Sequence, residues 1–456
     1  MKLRAEQDAR SYSESAAAAL AANTTTVVEL VEDHLAHIAR HDGTVSAFIH
    51  VMADEAGQQA AMLDALDPDS RGPLHGMILS VKDIIDVAGT STTCGSHSRL
   101  DRPAECDALL VERLRKAGAV IIGKANCHEF AFGGPAFDLP FPPARNPWDS
   151  DLFPGGSSSG SGVSVAAGFC HASIGSDTAG SIRLPSSHCG IVGLKCSRDS
   201  VPLDGVTPLS PSLDSVGPMA RSVADCAAIY EVMASKEATS TNADSPPVLA
   251  VPEKAWMARL ECEPDVVAAY QKACDAFRAG GFELRTVSMP PLPAIHAASA
   301  VVMMREVADL YADEVRGHYS RFGEMFRNRV LLGEKITDRH YRMALAQCED
   351  FAGQLEATLS GTGGMLLPAY PVGPAPLAAV DKFYFLARPN LNAIANCAGM
   401  PTLSLPVLRD AARRPLGVQL MAARGTESGL LTVGERLERL LAYPHQIPFA
   451  EGRNGH

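Results

Sequence analysis

Serine, glycine and lysine recur in this sequence in stretches that suit nucleophilic chemistry. Gly155-Gly156-Ser157-Ser158-Ser159-Gly160-Ser161-Gly162 is a loop of small residues ahead of an apolar, helix-like run, Val163–Ala167. Three chemistries compete for it with a plain flexible connector. A phosphate cradle of the P-loop kind wants a Lys-Ser or Lys-Thr pair at its end, and none follows. Gly156-x-Ser158-x-Gly160 matches a nucleophile elbow, a short pattern that glycine-rich loops meet by chance. The third reading is an active-site loop that holds serines against backbone amides.

The neighbouring residues favour an active site. Gly175-Ser176-Asp177-Thr178-Ala179-Gly180-Ser181-Ile182-Arg183-Leu184-Pro185 follows closely. Small residues around Ser181 let the backbone turn sharply and aim several N–H groups at one point, which suits a developing oxyanion. Upstream, Gly76–Asp83 places Lys82 at the end of an apolar strand. A lysine held in an apolar pocket is a candidate base, because desolvation lowers its pKa. Serine with lysine as base is a known replacement for serine with histidine. Glu129 beside His128 lacks the HExxH spacing of a zinc site. Arg305 and Arg342 could meet a substrate carboxylate, but as helix residues they read first as solvated charges.

The elements around these stretches alternate between helix and strand. Thr24–Thr26 caps a helix carrying Val27, Leu30, Val31, Leu35 and Ile38 on one face. A strand at 47–51, a helix over 55–66, a buried strand at 77–81, a helix over 107–116 and a strand at 120–122 follow. This order points to an α/β fold, a central mixed and largely parallel twisted sheet covered by helices on both faces. Phe130 to Pro154 is rich in proline and aromatic residues, forbids regular structure and reads as a pocket wall. Helices are expected over 224–234, 264–279, 391–398 and 427–441, and strands within 361–374, at 402–407 and at 416–421. Residues 290–360 carry helical periodicity and read as a helical cap that sets specificity. The stretch 236–247, rich in Ser, Thr and Asp, reads as a surface loop.

Composition narrows the partners. The 456 residues are 46% hydrophobic and 20% charged, which fits a globular chain with a sizeable core. A single domain over 1–456 is expected. The net charge is −12 with no basic tract, which argues for no nucleic acid and no membrane surface. Eleven scattered cysteines without a CxxC pair read as free thiols in a reducing compartment. No signal pattern and no run of 18 apolar residues is present, so a cytoplasmic protein is expected.

Taken together, the motifs resemble the amidase signature family of serine hydrolases. The resemblance rests on Gly155–Ser161, Gly175–Pro185, Cys189–Lys195 and Val81-Lys82-Asp83, continues through Asp214–Asp225, and returns at Gly417–Met421 with Glu427 and Leu430-Leu431. It covers nearly the whole chain, most densely residues 74–226. It implies a catalytic set of Lys82, Ser157 and Ser181, separated by 75 and 24 residues. Ser181 would be the nucleophile and Ser157 the proton relay to Lys82, with the Gly156–Ser157 peptide cis. Thr178, Ala179, Gly180 and Ser181 would supply the oxyanion N–H groups, and no cofactor or metal would be needed. His188 and Cys189 become structural on this view, and Asp177 and Arg183 a buried support for the loop. Two residues depart from the pattern, Ala179 where glycine is usual and Cys196 where proline is usual. Alanine at 179 would be strained if its φ were positive.

The reaction implied is hydrolysis of a carboxamide C–N bond in a small molecule, a linear amide, aryl amide or ureide, through a Ser181 acyl-enzyme. Phe132, Gly133, Gly134 and Phe137 would line the substrate pocket, and relatives suggest a homodimer. An alternative is the catalytic subunit of a glutamine-dependent tRNA amidotransferase. The loop 132–138 does not look like the glutamine-handling stretch of those proteins, which counts against it. A non-catalytic binding protein on the same fold is the alternative from another class, and retention of all three catalytic side chains counts against that.

Overall fold

The computed structural model describes residues 12, 15–235, 248–381, 383–386 and 390–449. The expected loop at 236–247 lies outside them. Eleven strands form one mixed sheet: β1 (Phe48–Val51), β2 (Ile78–Lys82), β3 (Val120–Ala125), β4 (Ala172–Asp177), β5 (Val192–Lys195), β6 (Ser215–Ala220), β7 (Val248–Pro252), β8 (Glu283–Val287), β9 (Met365–Pro368), β10 (Thr402–Arg409) and β11 (Pro415–Met421). Their order across the sheet is β1-β3-β2-β4-β6-β5-β10-β11-β9-β7-β8. The parallel pairs sit in the two flanks, β3-β2-β4 and β9-β7-β8, and the centre from β4 to β9 is antiparallel.

Local chemistry accounts for most elements. Thr26 caps the helix Val27–Val45, and Glu29 answers with a reciprocal bond, which makes a capping box. That helix runs through Gly43 and ends at Ser46 in the left-handed region. β2, β3, β4 and β6 are buried at every position, so alternation carries no signal in them. The last helix, Glu427–Leu441, matches its expected bounds and buries Leu430, Leu431, Leu437 and Leu441.

Residues 290–360 are helical, as expected. Three helices, Leu292–Gly317, Glu324–Gly333 and Asp338–Leu359, form a layer in which the first packs against each of the other two. Arg305 bridges Asp309 and Asp338 and is thus engaged on the outside of this layer. Arg342 is exposed.

Candidate functional site

Lys82 ends β2, fully buried, at the carboxyl end of the parallel flank. Its Nζ donates to Ser157 Oγ at 2.7 Å and to Ser176 Oγ at 2.9 Å. Ser176 lies on β4, the parallel neighbour of β2, which explains its reach. The adjacent Asp83 points to the other side of the strand and pairs with Lys124 at 3.0 Å. Lys82 therefore rests on hydroxyls, and among the described residues no carboxylate pairs with it. Burial pushes its pKa down to about 8, with distant Asp214 and Asp177 opposing.

Ser157 follows Gly156 across a cis peptide bond. Close approach explains the glycines. A Cβ on Gly155 would lie 2.6 Å from Pro185 Cα, and one on Gly156 would lie 2.2 Å from His128 Cε1. Ser158 clamps the loop to β4, since its Oγ accepts from Ser176 N–H at 3.2 Å and donates to Ser176 O at 3.1 Å. His128 cannot act as a base here, because burial lowers its pKa to about 3. Cys189 is fully buried and its thiol is pushed up, so it behaves as a small hydrophobe.

The Ser181 loop is organised by Asp177. Its carboxylate accepts N–H bonds from Gly180 at 2.8 Å and Ile182 at 3.1 Å, and it forms a buried two-point pair with Arg183 at 2.9 and 3.0 Å. Burial alone would raise the Asp177 pKa. The Arg183 charge reverses that and holds it well below the usual carboxylate range. The Gly180 N–H is thus consumed by Asp177, which removes it from the four donors expected to face an oxyanion. Among the described residues, the Thr178, Ala179 and Ser181 N–H groups meet no protein acceptor. The positive φ falls on Gly180, at 114°, so Ala179 carries no strain.

The residues after 389 form a strut beneath this loop, which sequence reasoning missed. Asn390 Nδ2 donates to Ala179 O at 2.7 Å. Asn396, in the helix Ala393–Ala398, donates to Asp177 O at 2.9 Å and accepts from Arg183 at 2.6 Å. From the other side, Thr178 Oγ1 donates to Asp214 at 2.5 Å. Burial pushes the Asp214 carboxyl up to about 6.

A cavity of about 160 Å³ opens onto these groups. Ser157 and Ser181 share its lining with Thr178 and Ala179. Leu292–Gly317 contributes His296, Ala300, Met303 and Met304, and Glu324–Gly333 contributes Arg329. The wall is otherwise mostly apolar. Phe132 and Gly133 line it, but Gly134 and Phe137 do not. Phe137 is 69% exposed, since its loop turns outward and Asp138 is drawn to the N–H of Glu324. Gly134 instead gives its N–H to Met325 Sδ at 2.9 Å. Arg329 stacks over the Phe132 ring at 5.0 Å, and burial presses its pKa down. Among the described residues no cluster of ligands suited to a metal ion is found, and no helix is long and apolar enough to cross a membrane.

Known proteins bear on this geometry. The family model named Amidase matches residues 29–431. A glutamyl-tRNA(Gln) amidotransferase subunit from Nitratidesulfovibrio vulgaris is 34% identical, over 93% of this chain and 95% of its own length. A crystal structure of an amidase superposes with a TM-score of 0.86 at 31% identity, covering 97% of this chain and all of the other. The crystal structure of the corresponding glutamyl-tRNA(Gln) amidotransferase subunit from Thermotoga maritima gives 0.76 at 28% identity, covering 91% of each.

These relatives correct two expectations. A free-standing hydrolase of small linear or aryl amides is overturned by full-length similarity to amidotransferase subunits. The exclusion of nucleic acid falls with it, because those proteins are named for a tRNA. Whole-chain charge cannot decide the point, since a net sum is silent on what a partner protein holds. The loop 132–138 was a weak guide as well, because only its first two residues reach the cavity. The matched model and the full-length relatives establish that the chain belongs to the amidase family.

Proposed function

We propose that this chain is the amide-cleaving subunit of a glutamine-dependent tRNA amidotransferase. The observation that carries the reading is Arg329, the one guanidinium or ammonium group among the described cavity residues, set in a wall that also presents Ser157 and Ser181. Glutamine bears a carboxylate at one end and a carboxamide at the other. Arg329 suits the first, and the serines suit the second.

The steps follow from the site. Neutral Lys82 takes a proton from Ser157 as Ser157 takes one from Ser181. Ser181 Oγ attacks the side-chain carboxamide of glutamine. The Ala179 and Ser181 N–H groups, with that of Thr178 beside them, stabilise the oxyanion. The relay then returns the proton to the departing ammonia. Water cleaves the glutamyl-enzyme by the same route and releases glutamate. Ammonia passes to a partner subunit that holds the tRNA, in place of the homodimer the resemblance suggested. A cytoplasmic setting accompanies this role.

Ammonia release from glutamine, measured with and without amidotransferase partner subunits and their aminoacyl-tRNA, tests the proposal. Cleavage of glutamine that rises at least about tenfold in the assembled complex is expected. Faster turnover of neutral amides than of glutamine, unchanged by the partners, would overturn it.

A further inference from the structure

Four of the buried thiols among the described residues rest on oxygen. Cys94 faces Thr92 O and Thr207, Cys170 faces Ser80 and Ser164, Cys189 faces Pro154 O, and Cys226 faces Pro218 O. Cys348 and Cys397 differ, because among the described residues only they meet sulfur to sulfur, at 3.2 Å. Cys348 lies in the helix Asp338–Leu359 and Cys397 in the helix Ala393–Ala398. Both are buried, at 5% and 2% exposure, in one apolar cluster with Ile295, Ala344, Phe351, Leu355 and Ile394. Cys397 also faces Ile295 O on the helix that lines the cavity.

We propose that Cys348 and Cys397 are a modification site, a dithiol that a small peroxide converts to a disulfide. A disulfide needs its sulfurs about 2.05 Å apart, so the pair must close by roughly 1 Å. The shared hydrogen bond favours ionisation of Cys348, which makes it the attacking sulfur. The Cys348 thiolate displaces water from protonated hydrogen peroxide and becomes a sulfenic acid. Cys397 sulfur then attacks that sulfur, the S–S bond forms, and a second water leaves with the Cys397 proton. Two thiols lose two electrons and one peroxide gains them.

The consequence lies next door. Asn396, adjacent to Cys397, holds Asp177 O and the Arg183 guanidinium under the Ser181 loop. Drawing the end of its helix toward Cys348 shifts that strut by a fraction of the closing distance. Displacements near 1 Å in a catalytic site cost up to about a hundredfold. A slower, reversible Ser181 follows, whatever amide the enzyme takes.

The test uses the full-length Cys106→Ser chain, which removes an exposed thiol, treated with hydrogen peroxide. Peptide mapping without reductant should find Cys348 linked to Cys397, with two thiols lost. Labelling of Ser181 by a fluorophosphonate should slow about tenfold and recover with dithiothreitol. Cys348→Ala and Cys397→Ala should each label at an oxidant-insensitive rate. Retention of both thiols, or linkage to other cysteines, overturns the site. A linked pair with unchanged labelling overturns its coupling to the Ser181 loop.

Discussion

In the proposed mechanism, Lys82 is a base whose burial works against the fold. Burial that leaves it near 8 makes a usable base at neutral pH, and the same burial destabilises the charged form. Because the base must be neutral, kcat/KM should climb about tenfold per pH unit below 8 and level off above it. A flat profile from pH 6 to 9 would rule out this role for Lys82. The stability sign is also fixed. Between about 8 and 10.4 the unfolded lysine holds a proton that the folded one has lost, so stability rises with pH across that window. Lys82→Met should therefore be inactive yet about 1–3 kcal/mol more stable at pH 7, as thermal unfolding would show. This residue is legible in the sequence, because a lysine ending an apolar strand is a local pattern. Ser157 and Ser181 are legible for the same reason. Arg329 is not, since nothing in its own helix marks it out, and only the packing of that helix over Phe132 brings it to the cavity.

The elements that aim these side chains are legible in unequal measure. Helices with a polar face show their bounds within a few residues. β4 and β6 do not announce themselves, because Ala172–Asp177 and Ser215–Ala220 are buried throughout and rich in Ser, Gly and Pro. The asparagine strut is equally silent, since its partners lie up to 219 residues away. Its removal is testable. Asn396→Ala takes a donor from the Leu213 carbonyl and one of two side-chain donors from the Asp177 carbonyl, which keeps Ser215 Oγ, and should cost about 1–3 kcal/mol, with slower Ser181 labelling. Wild-type labelling in a well-folded variant would show that the strut does not act on the loop. Helix Glu324–Gly333 depends likewise on Glu129, which accepts from Gly323 N–H and from Ser96 Oγ at 2.6 Å. Burial raises the Glu129 carboxyl to about 7. Glu129→Ala should loosen that helix and raise KM for glutamine with little change in kcat. A change confined to kcat would mean that Glu129 does not act through that helix.

At the scale of the whole molecule, one polar cluster ties the sheet to the site. Arg183 joins Asp177 on β4, Gln419 on β11 and Asn396 of the strut, over sequence separations reaching 236 residues. Arg183→Met would leave a buried Asp177 unpaired and should cost about 3–5 kcal/mol by denaturant unfolding. The pH sign follows from the depressed Asp177. Its contribution is complete above the unfolded value near 3.9 and is lost as pH falls through the folded value, so the variant's deficit should be full at neutral pH and shrink in acid. The net charge of −12 argued against nucleic acid, and that exclusion falls because full-length relatives are named for a tRNA. Charge sums over a surface, whereas an assembly divides its tasks among its members. The central claim is that Ser181 is an activated nucleophile serving glutamine. Fluorophosphonate labelling followed by peptide mapping, with and without glutamine, goes straight to it. One adduct is expected, on Ser181, suppressed by glutamine and abolished by Lys82→Ala. An adduct on another residue, or one on Ser181 indifferent to both glutamine and Lys82, would refute the claim.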